Sequence, residues 1–375
     1  MSGTRKRGAT VKAPGKAPAK APAKPRPAAV PAEAAPIEAG GLPPVPSQPP
    51  APPVAPPAAV PVPPAPPGLA HLPLPLLVMP MGLGGVGLAW REASVSLGMP
   101  GFVGEVLLAL TALVWLLVVG AQALRALRHP EAMWAEFRHP VRVAFAAAPT
   151  IGLLILSGAV HPYAPGFGAA LWCIAVPLHL VVAMGILRRL LAGRGEVAML
   201  APPLLIPFVG NILAPVFGAR MGFHDASWMI FGVGLLMWVA ITPLLLYRLI
   251  AGPPLPLAMR PSVAIFLAPP AVGALAVIAL TGEAHSLSLT FTGVALLMAA
   301  ALLSLAREFA WVPFSLSWWG FTFPTAAFAV LLMAEGFHPL LAGLALAVTT
   351  GLTGWIAWRT FAAARAGVFL RPEAH

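Results

Sequence analysis

The chain has 375 residues, 59% hydrophobic and 9% charged, with a mean hydropathy of +0.85 and a formal charge of +11. That balance excludes an ordinary soluble domain. Apolar runs of about 20 residues recur from Leu72 onward, each able to cross a ~30 Å hydrocarbon core as a helix, whereas a transmembrane β-barrel would show short alternating segments. The single cysteine, Cys173, excludes an intrachain disulfide and a thiolate metal cluster and is expected as a small buried side chain.

In chain order, residues 1–68 come first, rich in Pro, Ala, Lys and Val. In "KAPGKAPAKAPAKPRP" a lysine recurs every four residues, and eight Lys/Arg against Glu33 and Glu38 give this segment a charge of +6. Such a composition cannot bury a core. The expectation is a disordered, partly polyproline II cytoplasmic tail, either touching anionic lipid headgroups or merely solvated. The start "MSGTRKRG" is basic but no apolar stretch follows it, so a cleavable signal peptide is not expected and the first span serves for insertion.

Ten apolar spans follow, at 73–91, 101–127, 140–160, 167–191, 202–220, 226–250, 261–281, 286–306, 317–335 and 338–364. They form a predicted transmembrane domain at 69–366, with a short cytoplasmic tail at 367–375. Short loops make sequential helices antiparallel hairpins. One set of loops carries Arg125, Arg128, Arg138, Arg142, Arg188, Arg189, Arg194, Arg248, Arg260, Arg307, Arg359, Arg365 and Arg371, and the other only Arg91 and Arg220. Basic loops stay cytoplasmic, which places both termini inside.

Proline interrupts every odd span: Pro80 in the first, Pro149 in the third, Pro207 and Pro215 in the fifth, Pro269 and Pro270 in the seventh, Pro324 in the ninth. Among even spans only the fourth and sixth have an interior proline, Pro177 and Pro243. A helix-breaking proline is tolerated in a bilayer where the freed backbone is re-satisfied or lines a water-accessible cavity. The alternation predicts an all-α membrane protein of five hairpins around a central pore, odd helices inner and even helices outer. The competing reading is that each proline merely kinks a packed helix.

Ionisable residues at depth are few: Glu105, near a helix end, and His179, either hydrogen-bonded structure or a proton relay. A pore without fixed negative charge, under the field of inward arginines and backbone amides, favours anions. No HExxH, CxxC, GxSxG or phosphate-loop motif occurs, so no enzyme, cofactor or metal is expected. "GLGGVG" at 82–87 lies within a span and reads as close helix packing or a narrow pore wall.

"HPVRVAF" opening span three, "IPFVGNILAP" in span five, "RPSVAIFLAPPAVGALA" in span seven and "WWGFTFPTAA" in span nine resemble the tellurite-resistance/dicarboxylate transporter family. That family includes bacterial tellurite-resistance channels and plant guard-cell slow anion channels. The resemblance covers Leu72 to Arg365. It implies a homotrimer whose protomers each carry a five-hairpin pore for small anions, dicarboxylates or sulfite, occluded by a phenylalanine on the ninth helix. The matching residue is Phe323, with Phe321 the alternative. Pore-lining or kinking residues are expected at Pro80, Gly82, Pro149, Pro207, Asn211, Pro215, Pro269, Pro270, Thr322 and Pro324. In "LPLPLLV" Pro75 and Val78 stand where family glycines are usual, which implies a narrower pore at that end.

The resulting expectation is a passive, gated channel or uniporter for small anions in a bacterial inner membrane, contributing to tolerance of tellurite or another oxyanion. Its partners are the transported inorganic anions or organic dicarboxylates, and the lipid bilayer. A C4-dicarboxylate or sulfite carrier, and a membrane scaffold or sensor working through its tail, are the competing readings.

Overall fold

The computed structural model describes residues 68–372; the tail expected at 1–68 lies outside them except for Gly68. The described residues fold as helices. Nine are long and apolar enough to cross a membrane: α1 (Leu74–Ser96), α2 (Gly101–Arg128), α3 (Arg142–Val160), α4 (Pro165–Leu191), α6 (His224–Ala251), α7 (Leu257–Thr281), α8 (Ser286–Ser304), α9 (Leu316–Ala334) and α10 (Pro339–Arg365). The fifth, α5 (Pro202–Gly218), is shorter. Its four-residue 3₁₀ turn and 13-residue α segment reach about 27 Å. Nearly every residue of α5 is buried by protein, so its backbone does not have to match the lipid thickness.

Burial separates the two sets. In the hydrophobic windows of α1, α3, α7 and α9, 67–78% of residues are buried, against 17–33% in α2, α4, α6, α8 and α10. The odd helices pack in a closed cycle, α1 on α3, α3 on α5, α5 on α7, α7 on α9 and α9 back on α1. Each even helix packs on its hairpin partner. The predicted inner and outer rings are therefore present. Because hairpins alternate direction, all five inner helices run parallel.

The prolines act differently from the prediction. Each odd helix opens as a 3₁₀ segment and then becomes α-helical, at Met79, Ala148, Ile206, Ala268 and Trp319. Pro80, Pro149, Pro207 and Pro269 stand in the first turn of those α segments, where a missing N–H loses nothing. The carbonyl four residues before each proline is not orphaned. The N–H of the preceding residue takes it by an i→i+3 bond: Met79 to Leu76, Ala148 to Phe145, Ile206 to Pro203 and Ala268 to Ile265. These prolines mark a 3₁₀-to-α switch and do not break a helix interior. Within the α segments of the odd helices Pro215 and Pro324 are interior, Pro261 lies inside the 3₁₀ segment of α7, and Pro177 and Pro243 are interior in the even set.

Side-chain donors join the rings. Trp115 on α2 donates to the Pro149 carbonyl at 2.8 Å, Trp172 on α4 to that of Ala214 at 2.9 Å, and Trp319 on α9 to the Thr360 hydroxyl at 2.9 Å. Such bonds satisfy backbone and hydroxyl groups that lipid could not. Cys173, expected buried, is exposed on the outer face of α4, because that helix turns most of its surface outward. An amphipathic helix at Pro130–Arg138, absent from the sequence reading, joins α2 to α3. The Gly68 N–H donates to the Leu370 carbonyl at 2.8 Å and brings the start and the close of the described chain together.

Candidate functional site

Two cavities lie along the axis of the inner ring. One, of about 400 Å³, sits toward the C-terminal ends of the odd helices and is lined by residues such as Gly85, Arg91, His161, Arg220, Leu275 and Ala327. The other, of about 30 Å³, sits at the level of the 3₁₀-to-α switches, among Val78, Phe145, Ile151, Ile206, Ala268 and Gly320. A water needs roughly 10–15 Å³ of such space, so the smaller cavity holds about two waters and no hydrated ion.

Phe323 and Leu213 line both cavities. Their side chains, from α9 and α5, separate the wide space from the narrow one. The Phe323 ring is 4% exposed and lies against α1, where a methyl added at Gly85 would stand 3.1 Å from its Cδ2. Phe321 points elsewhere: its ring meets Phe309 edge-on at 5.0 Å and stacks with Trp318 at 5.6 Å, behind α9. The narrow cavity carries no charged side chain, with Ser262 and Ser317 its hydroxyl-bearing residues. An apolar constriction of this kind excludes ions by excluding water.

Of the other predicted pore residues, Pro324 also lines the narrow cavity. Pro80, Gly82, Pro149, Pro207, Asn211, Pro215, Pro269, Pro270 and Thr322 lie outside the lining of both cavities. Gly82 is a helix-contact residue, since a Cβ there would run into the Thr322 hydroxyl and the Trp319 ring. Thr322 donates to the Trp319 carbonyl at 2.8 Å, and Asn211 Nδ2 to that of Pro207 at 3.2 Å. His179 is fully bonded, Nε2 to the Pro207 carbonyl at 2.9 Å and Nδ1 with the Thr150 hydroxyl at 2.7 Å, so it fastens α4 to α3 and α5. Val78 stands in the narrow cavity's wall.

Charge collects at the ends. Arg91 holds Glu105 through two bonds of 2.7 and 2.8 Å and donates to the Ala159 carbonyl at 3.1 Å, which caps the C-terminus of α3. The Glu105 carboxylate raises the pKa of the exposed Tyr163 phenol beside it. Arg220 lines the wide cavity without an ion pair among the described residues. At the other end, sequence reading missed a buried network: Arg125 meets Glu136 at 3.1 Å, Glu136 meets Arg142 at 3.3 Å, and Arg125 Nε donates to the Ala70 carbonyl at 3.0 Å. Glu136 belongs to the unpredicted Pro130–Arg138 helix, and the only available signal was a carboxylate between flanking arginines.

The voltage-dependent anion channel family typified by SLAC1 matches residues 71–364. The chain belongs to that family. Among its SLAC1-family relatives, the S-type anion channel SLAH2 of Arabidopsis thaliana is 28% identical over 70% of this chain and 52% of its own length. The Arabidopsis guard cell S-type anion channel SLAC1 is 27% identical over 55% of this chain and 38% of its own. The tellurite resistance protein TehA homolog of Haemophilus influenzae is 26% identical over 69% of this chain and 79% of its own. The chain spans about half or less of the length of those plant relatives. It is a multi-pass membrane protein of a family of anion channels and transporters, not of enzymes.

Proposed function

We propose that the chain is a passive, gated channel or uniporter for small monovalent anions, closed by Phe323. The observation that carries this reading is the position of that ring, shared by a wide and a narrow cavity on one axis with no charged group in the narrow one. Rotation of one apolar ring would connect them. Five parallel inner helices add selectivity: each N-terminus carries about half a positive charge, and all five face the basic mouth. The antiparallel outer helices offset this field, but they stand farther from the axis.

A carrier for dicarboxylates or sulfite needs groups that grip a doubly charged substrate, and the narrow cavity offers only two serine hydroxyls besides backbone. A channel fits better. The proposal places both termini on the cytoplasmic side of a bacterial inner membrane, by the positive-inside bias, with the protein as a homotrimer and its basic tail free to meet anionic headgroups. Oxyanion passage through such a pore would account for a role in tellurite tolerance without dedicated chemistry.

Flux into liposomes tests this, with chloride and nitrate against malate and sulfite, for wild type and Phe323→Ala. Voltage-driven chloride and nitrate flux that appears or rises at least tenfold in the alanine variant supports the gate. Malate or sulfite flux in wild type, with no chloride conductance from either protein, would overturn the channel reading.

A further inference from the structure

We infer that the end of α4 and the Pro130–Arg138 helix together form a binding site for the phosphate headgroup of an anionic phospholipid. The inference rests on the membrane boundary at the basic end and not on what passes through the lumen. A depression of about 250 Å³ at the C-terminus of α4 is lined by Arg188, Arg189 and Arg194 with the small residues Gly185 and Ala192. Arg188 and Arg194 are exposed, and their side chains have no hydrogen bond or ion pair among the described residues. Arg189 is held in place: its Nη1 donates to the Phe137 carbonyl at 3.0 Å and its Nη2 to that of Arg138 at 3.4 Å. Fixing one guanidinium against two carbonyls leaves its remaining N–H groups pre-aimed, which suits a tetrahedral phosphate.

A free anion would need only the arginines. The surroundings point to a lipid. On α4 the side chains leading to this depression are apolar and outward, with Val181, Met184 and Leu191 exposed by 63–80%. On the neighbouring helix Trp134 and Phe137 stand out as an edge-to-face pair with centroids 6.4 Å apart, and the Arg138 guanidinium lies 5.4 Å above the Trp134 ring. Aromatic rings beside basic residues at a helix end mark the headgroup level of a bilayer, and basic pockets between helices on that side hold phosphate headgroups. Acyl chains would run along α4 while the phosphate sits among the arginines. The other face of the Pro130–Arg138 helix carries Glu136, paired with Arg142 at the first residue of α3, so an occupied site would touch the inner ring through one ion pair.

The test uses full-length protein in neutral detergent, with the unfolding temperature followed as phosphatidylglycerol, phosphatidylcholine or inorganic phosphate is titrated in. Wild type should be stabilised by phosphatidylglycerol alone. Arg188→Gln/Arg194→Gln should need about thirtyfold more of it, as expected for the loss of two cations at a membrane surface. Arg188→Lys/Arg194→Lys should return the midpoint to within about threefold of wild type, which separates lost charge from a folding defect. An unchanged midpoint in the glutamine variant would overturn the site and assign binding to the tail or to the surface at large. Equal stabilisation by inorganic phosphate would overturn the lipid as its source, and failure of the lysine variant to restore binding would overturn a charge-based headgroup site.

Discussion

Replacing Phe321 by alanine removes a ring that stacks on Trp318 and meets Phe309, so the loss falls on packing behind α9 and not on the lumen. Phe321→Ala should cost about 3–5 kcal/mol, seen as a lower unfolding temperature in detergent, with no rise in chloride flux. The same flux assay applied to Phe323→Ala separates the two rings. The sequence reading preferred Phe323 and kept Phe321 as the alternative, because both are aromatics in one apolar helix and side-chain direction is what distinguishes them. Val78 was legible in a different way: the sequence resemblance singled it out as a residue that narrows one end of the pore, and it stands in the wall of the narrow cavity. Val78→Gly in the Phe323→Ala background should raise chloride conductance further, by about two- to fivefold, since it widens a space that holds about two waters. Glu136 was not legible, because its burial depends on a helix that the loop reading omitted. Glu136→Gln would leave Arg125 buried without its counter-charge and should destabilise the fold by about 3–5 kcal/mol, measured by thermal unfolding.

Among the elements, α1 and α9 approach so closely at Gly82 that any Cβ there collides with Thr322 and Trp319. Gly82→Ala should therefore destabilise by about 1–3 kcal/mol through overpacking, with a lower unfolding temperature as the readout. Its neighbours in "GLGGVG" read as close packing on sequence grounds, and Gly84 and Gly87 do meet Ile155 and Leu108 of adjoining helices. The prolines were legible as a pattern and misread as a device. Their odd-helix periodicity located the inner ring, but the 3₁₀ opening of each helix cannot be seen in composition, because i→i+3 and i→i+4 bonding use the same residue types. The distinction is measurable. Pro207→Ala adds an N–H at a first-turn position where none is needed, so it should change stability by less than about 1 kcal/mol in a thermal melt. An interior kink with a built-in role would respond more strongly.

At the scale of the whole molecule, hairpin topology makes the five inner helices parallel and stacks their dipoles along one axis. The basic mouth receives the positive ends, and the far mouth the negative ones, where an entering anion would meet five carbonyl-rich termini. Arg91 answers part of this by capping α3, but its charge is taken by Glu105. Arg220 is the cation in the wide cavity's lining that has no carboxylate partner among the described residues. Its contribution should be long-range attraction and not contact, because it is exposed and lines the wide cavity but not the narrow one. Arg220→Glu in the Phe323→Ala background should lower chloride conductance several-fold in 20 mM salt, where the Debye length is roughly 20 Å, and much less in 1 M salt, where it is about 3 Å. Planar-bilayer recordings at both concentrations read this directly. A loss that is equal at both salts would move Arg220 from attraction at a distance to a direct part in the conducting path, because screening cannot spare a contact.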